Sequence, residues 1–357
     1  MSSKIPSLQA LRGFAILGVL VIHCQWLITG PLVNDTPWFG LVANQLSRFA
    51  VPVFFMLSGY FFYPKLANTG HYRRDPIWKT LFRYCVPLFK LFIVWSVVYL
   101  LLPFNLGTVI EQGYIAERTG YLTYLSSKGL NPWFEGGIEV LWFLPGLICA
   151  MLITTALRSY WRVLWIAAIG LYLYGLAAGS YAVHTGWESP LFTRNGPFMS
   201  TLMVLIGMQL RQNNTVTFML GGLFALIGVL GHLTEAWFLS KAGVDFNIHD
   251  FLLFTPLWGA GLVMMMLSRP EFGQHRFLQT LGNQSLGIYL IHIIFVILFM
   301  NLQGLIPALS DWKEYLIIPF TLFCSLASIW VIDSSPLRGL FLRNHSQRKA
   351  KPNLATP

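Results

Sequence analysis

The chain has 357 residues, 55% of them hydrophobic and 11% charged, with a formal net charge of +10; its mean hydropathy is +0.60. Soluble domains carry about 25% charged residues, so this composition excludes a water-soluble fold and calls for a bilayer to solvate the apolar surface. The basic residues lie in short stretches between apolar runs, a membrane-topology pattern that argues against nucleic acid as the partner.

Segments long enough to cross the hydrocarbon core, about 20 apolar residues each, fall in chain order at 8–28, 39–62, 81–103, 138–157, 163–183, 197–210, 216–232, 249–268, 284–303 and 315–334. They predict an all-α bundle of about ten transmembrane helices. The first is expected to be a retained helix, since Lys4 and Arg12 precede the apolar stretch Phe14–Ile22 and no A-x-A-like cleavage site follows. Residues 1–338 read as one transmembrane domain, and 339–357 as a basic, disordered cytoplasmic tail carrying Arg343, Arg348, Lys349 and Lys351. The four cysteines, Cys24, Cys85, Cys149 and Cys324, all fall in apolar runs and show no metal-binding spacing.

The charges set the orientation. With both termini in the cytoplasm, 18 of the 24 Lys and Arg residues lie at inner ends. Arg118, Lys128, Arg194, Lys241 and Lys313 lie outside, and Arg48 falls inside the second span. Acids lean outward, with Glu111, Glu117, Glu135, Glu188, Glu235, Asp245 and Asp311 all on that side. Positive-inside asymmetry of this kind needs an even number of spans.

A charge at mid-membrane costs about 2.5–3.5 kcal/mol on insertion scales and usually has a role. Three groups therefore stand out: His23 in the first span, Arg48 in the second and His292 in the ninth. Arg12 and His23 are eleven residues apart, which puts them within about 20° on one helix face and roughly 16.5 Å apart along the axis. Arg12 suits a snorkelling anchor and His23 a hydrogen-bonded packing residue, yet one helix face carries a cation near the inside and an imidazole nearer the other side. Arg48 calls for a polar cavity or an anion, or else a structural ion pair. Ser285, Tyr289 and His292 share one face of the ninth span. Ser58-Gly59 suits close packing of small residues. No Walker loop, dinucleotide fingerprint, GxSxG or metal motif is present, and no internal repeat of the kind many transporters show.

The stretch LQALRGFAILGVLVIHC, holding Arg12 and His23, resembles the first helix of the acyltransferase-3 family. RFAVPVFFMLSGYFF, with Arg48 and Ser58, resembles its second; LWFL, with Trp142, its fourth; SLGIYLIH its ninth. Within that family the chain is similar to stand-alone bacterial O-acetyltransferases of surface glycans, of the enterobacterial common antigen type. The resemblance implies a multi-pass enzyme of the bacterial inner membrane. It would take an acyl group, usually acetyl, from cytoplasmic acyl-coenzyme A and place it on a hydroxyl of a cell-surface polysaccharide or its lipid-linked precursor. Acetyl-CoA would serve as donor substrate with no permanently bound cofactor or metal; membrane lipid and a glycan acceptor would be the other partners. Carried onto this chain, His23 would be the catalytic base. Arg48, Tyr289, His292, Ser58 and Trp142 would stand on the substrate and oxyanion side. Arg12, with Arg73, Arg74, Lys79 and Arg83 of the inner loop, would bind the donor. Two positions depart from the family: Thr80 stands three before Arg83 where a basic residue is usual, and Val140 replaces a histidine two before Trp142, with Glu139 adjacent. A transporter or exporter of a glycan or lipid precursor is the rival class, since such proteins also bury Arg and His.

Overall fold

The computed structural model describes residues 5–30, 32–33, 35–67, 77–213 and 216–343. In chain order its helices are α1 Pro6–His23, α2 Trp38–Leu46, α3 Ala50–Ala67, α4 Ile77–Leu101, α5 Leu106–Gln112, α6 Tyr114–Ser127 and α7 Pro132–Glu135. A 3-10 turn over Glu139–Trp142 leads into α8 Phe143–Ala156, then α9 Trp161–Ala177, α10 Ala182–Thr185, α11 Pro197–Gln212, α12 Phe218–Lys241, α13 Thr255–Ser268 and α14 Arg276–Leu305. A second 3-10 stretch, Pro307–Trp312, precedes α15 Lys313–Asp333 and α16 Arg338–Phe341. No β-strand occurs among the described residues.

Seven of these helical stretches are long and apolar enough to cross a membrane, and α9 and α13 are shorter apolar helices. The remaining expected segment, α11, is enclosed by α3, α8 and α9, so its Ser200 and Thr201 never face lipid. Along α4 the exposed side chains Trp78, Phe82, Val86, Phe89, Ile93, Val97 and Leu101 recur every three or four residues. That apolar stripe on the outside of the bundle, with no water-compatible face opposite, fits lipid as its solvent. The protein is a polytopic all-α membrane bundle.

Close helix approach depends on small residues. A Cβ on Gly59 of α3 would collide with the carbonyl of Val204, and one on Gly207 of α11 with that of Met56. The same reciprocity joins α1 to α14: a Cβ on Gly13 would lie 2.8 Å from the Leu278 oxygen, and one on Gly282 would overlap the Gln9 oxygen. Gln9 Nε2 donates to Asn283 Oδ1 at 2.9 Å near the start of both helices. The two helices run parallel, which keeps His23 level with His292.

Several expected boundaries move, most of them for a local reason. The first helix ends at His23, not at residue 28, because Gln25 and Leu27 adopt φ of 49° and 58°. Glu314 holds that turn, accepting from the Leu27 N–H and from Thr29 Oγ1 at 2.6 Å. The second span is broken at residues 47–49. Pro52 explains the break, since its ring would press on the carbonyl of Arg48 and offers it no N–H. The fifth span stops at Ala177. The seventh continues to Lys241, because two polar side chains past residue 231 have partners: His232 meets Thr255 and Gln45, and Glu235 meets Tyr181. The outer loop expected after residue 232 thus begins after Lys241, and the eighth span, expected from 249, begins at Thr255. Residues 339–343, expected to open the tail, dock on α4: Lys90 Nζ donates to Gly339 O at 3.0 Å, and Trp95 Nε1 to Phe341 O at 3.0 Å. The rest of the tail lies outside the described residues.

Candidate active site

Five chain segments converge on one small cavity of about 50 Å³. Its lining includes His23 from the end of α1, Arg48 from the break between α2 and α3, and Val140 and Trp142 from the 3-10 turn. Asp250 from the segment before α13 and Tyr289 from α14 complete the polar lining. Helix α1 starts with Pro6 in its first turn, where the missing N–H costs nothing, and it delivers His23 as its last residue. The turn that follows frees the imidazole from a continuing helix.

Four of the residues singled out from sequence therefore meet: His23, Arg48, Trp142 and Tyr289. His292 stands directly behind. Its ring centroid lies 5.3 Å from that of His23, and it is fully buried. His292 Nδ1 donates to the carbonyls of Ile288, at 3.0 Å, and Tyr289, at 2.8 Å. The Tyr289 hydroxyl donates to the Val140 oxygen at 2.5 Å. Position 140 thus meets Tyr289 through its backbone oxygen, which any residue there would supply.

Others do not join. Ser58 Oγ donates to Phe54 O at 2.8 Å within its own helix, and its neighbour Gly59 serves the α3–α11 contact; Ser58 does not line the cavity. Arg12 lies well below it, its guanidinium 5.2 Å from the centre of the Phe61 ring. Lys79 and Arg83 are on the exposed face of the first turns of α4. Arg73 and Arg74 lie outside the described residues.

Arg48 is both a cavity residue and an ion-pair member. Its Nη1 is 2.6 Å from Asp250 Oδ1, its Nη2 donates to Asn247 O at 2.6 Å, and its Nε to Asn44 Oδ1 at 3.1 Å. The pairing continues outward. Arg194 Nη1 is 3.3 Å from Asp250 Oδ2, and Arg194 Nη2 is 2.9 Å from Glu135 Oε1 and 3.7 Å from Glu139 Oε2. Lys128 Nζ is 3.2 Å from Glu139 Oε1, which also accepts from the Tyr124 hydroxyl at 2.8 Å. Sequence reasoning missed Asp250, Arg194 and Glu135 as site neighbours. Asp250 carried only a weak signal, an acid at the edge of the eighth apolar run.

At the inner end, cations meet rings. Lys65 Nζ lies 5.4 Å from the Tyr84 ring centre and the Arg343 guanidinium 5.0 Å from it. Among the described residues Arg12, Lys65 and Arg343 form no ion pair with a carboxylate.

A family model described as an acyltransferase domain matches residues 5–333. A serine/alanine racemase of Enterococcus gallinarum is 28% identical over 305 residues, which is 81% of this chain and 40% of that protein. An amino-acid racemase of Enterococcus faecalis is 25% identical over 334 residues, 87% of this chain and 44% of that protein. The chain thus spans less than half the length of these curated relatives, and no solved structure matches it. With the family model covering nearly the whole bundle, cavity included, the chain belongs to the acyltransferase-3 family.

Proposed function

We propose that this protein is an O-acyltransferase of the bacterial inner membrane, moving an acyl group, acetyl in the first instance, from cytoplasmic acyl-CoA to a hydroxyl of a surface polysaccharide or its lipid-linked precursor. The observation that carries this reading is His23 at the wall of an internal cavity beside Arg48, Trp142 and Tyr289. In the reaction the acceptor oxygen attacks the thioester carbonyl carbon and its proton passes to His23. The C–S bond then breaks, and His23 returns the proton to the departing coenzyme A sulfur. Arg48 reaches the site as a neutral pair with Asp250, so its help to the developing oxyanion comes from directed N–H donors rather than from net charge.

The inner basic face supports donor entry from the cytoplasm. Guanidinium and ammonium groups stacked on Phe61 and Tyr84 keep N–H donors for a polyphosphate. The thin acyl-bearing arm would then rise along the face of α1 toward His23, roughly 16.5 Å from Arg12. Purified protein given acetyl-CoA and a glycan acceptor should release coenzyme A and acylated glycan. His23→Ala should abolish both at unchanged protein level, and an active His23→Ala protein would sink the mechanism.

One observation favours the rival transporter. The second span is interrupted beside the cavity, and transporters place broken helices at their binding sites. Proteoliposomes separate the two readings: a transporter moves solute without consuming acyl-CoA.

A further inference from the structure

The His292 ring is held in one orientation and one protonation pattern. Its Nδ1 faces two backbone carbonyl oxygens, of Ile288 and Tyr289. A carbonyl accepts and never donates, so Nδ1 carries the hydrogen, and in the neutral ring Nε2 is a bare acceptor. That Nε2 is buried and has no hydrogen-bond partner among the described residues. A buried acceptor left without a donor is costly, and native structures rarely tolerate one. Nearby hydroxyls already donate elsewhere: Tyr289 to Val140 O, Tyr99 to Leu290 O, and Ser285 to Gly282 O. A ring with an N–H to give, that of His23, stands beside it, its centroid 5.3 Å away.

The two histidines also differ in what they face. His23 lines the cavity, whereas His292 does not and stands behind it. We propose that His292 is a positioning residue that fixes the tautomer of His23. Its Nε2 accepts a hydrogen bond from the near ring nitrogen of His23, which leaves the far nitrogen as a lone pair aimed into the cavity. A base must present its lone pair, not its N–H, to the acceptor hydroxyl. An imidazole with no such tether divides between two tautomers and swings about its side-chain bonds. The partner's role matches that of the third member of a nucleophile–base–orienter set, with a neutral acceptor in place of a carboxylate. When His23 takes the substrate proton, the same hydrogen bond steadies the imidazolium.

This inference rests on the proposed role of His23, and the experiment keeps the two apart. Full-length protein labelled with 15N-histidine is purified as wild type, His292→Leu and His292→Gln, with His23 signals assigned by their loss in His23→Gln. In alkaline buffer, wild type and His292→Gln should show one neutral His23 tautomer, because a glutamine amide can both donate to the backbone and accept from His23. His292→Leu should show a mixture. In acetyl transfer, His292→Leu should lose about 100-fold in kcat, the scale of a general-base contribution, with KM for acetyl-CoA unchanged. His292→Gln should recover most of that loss. A single His23 tautomer in His292→Leu would overturn the inference, as would a His292→Gln protein no better than His292→Leu. A wild type with a fixed His23 tautomer but no acyl transfer would instead overturn the proposed function and leave the tether standing.

Discussion

Substitution of Gly282 by alanine tests whether the site depends on the spacing of α1 and α14. The added Cβ overlaps the Gln9 oxygen and falls 2.9 Å from the Gln9 carbonyl carbon and 3.1 Å from its Cγ. Carbon atoms rest at about 3.5–4.0 Å and the oxygen overlap is tighter still, so the helices must part by about 1 Å or more. Overpacking of this kind costs about 1–3 kcal/mol. Alanine in a helix interior returns about 1 kcal/mol relative to glycine. The net loss of stability is therefore small, about 0–2 kcal/mol. The effect on chemistry should be larger, because a misplacement of about 1 Å can cost roughly 100-fold in rate and α1 carries His23. Gly282→Ala should thus lose about 10- to 100-fold in kcat with a modest fall in the thermal midpoint of the purified protein. Gly170→Ala is the control: nothing lies within 4 Å of its Cβ, so it should keep full turnover. Should Gly282→Ala aggregate, the milder Gly13→Ala, with its Cβ 2.8 Å from the Leu278 oxygen, replaces it. Wild-type turnover in a well-folded Gly282→Ala protein would refute the reasoning.

Three further outcomes are expected. In a cysteine-free background, a cysteine at Gln112 should label with an impermeant reagent in intact cells and one at Ser346 should not; the reverse pattern would invert the orientation. Arg12→Ala and Arg83→Ala should weaken acetyl-CoA binding by roughly 10- to 100-fold, the loss of one charge-assisted contact worth about 1.5–3 kcal/mol, whereas His23→Ala should bind donor normally; unchanged affinity in both arginine variants would return Arg12 to a snorkelling anchor. His249, in the loop before α13, has its pKa pushed down to about 4 by burial and by the Arg48 charge. The unfolded chain titrates this group near 6.5, so the stability of the neutral form is complete above that pH and is lost as pH falls toward 4, by up to about 3 kcal/mol. His249→Gln should flatten that acid loss in thermal melts, and an unchanged pH slope would count against it.

The bundle was legible because lipid imposes a simple rule on sequence, and each of the ten apolar runs is helical. What sequence could not show is where a run stops being helix while staying apolar. Residues 251–254 are Phe-Leu-Leu-Phe yet precede α13 as irregular chain, with the Tyr172 hydroxyl donating to Leu252 O at 2.6 Å and Glu235 accepting from the Leu253 N–H at 2.9 Å. Hydropathy sees the side chains and is blind to who satisfies the backbone. His23, Arg48, Tyr289 and Trp142 were found because polar or motif-bearing groups in apolar runs are conspicuous. Ser58 was set on the substrate side by resemblance alone; the reading of its own residues, close packing beside Gly59, matches a hydroxyl bonded within its helix and the α3–α11 contact.

The outer chain of pairs, Arg48–Asp250–Arg194–Glu135 and Glu139–Lys128, alternates three cations with three carboxylates. Such a cluster has almost no monopole, and its field dies within the reach of the pairs themselves. Under the proposed function, an acceptor arriving from that side would be neither drawn in nor repelled over distance, and its association rate should be nearly flat across ionic strength. The opposite end, where Arg12, Lys65 and Arg343 rest on rings, has the opposite character. There the on-rate of an anionic donor should fall steeply as salt is added. The two ends of one bundle would thus sort their substrates by the salt dependence of arrival, before either touches His23.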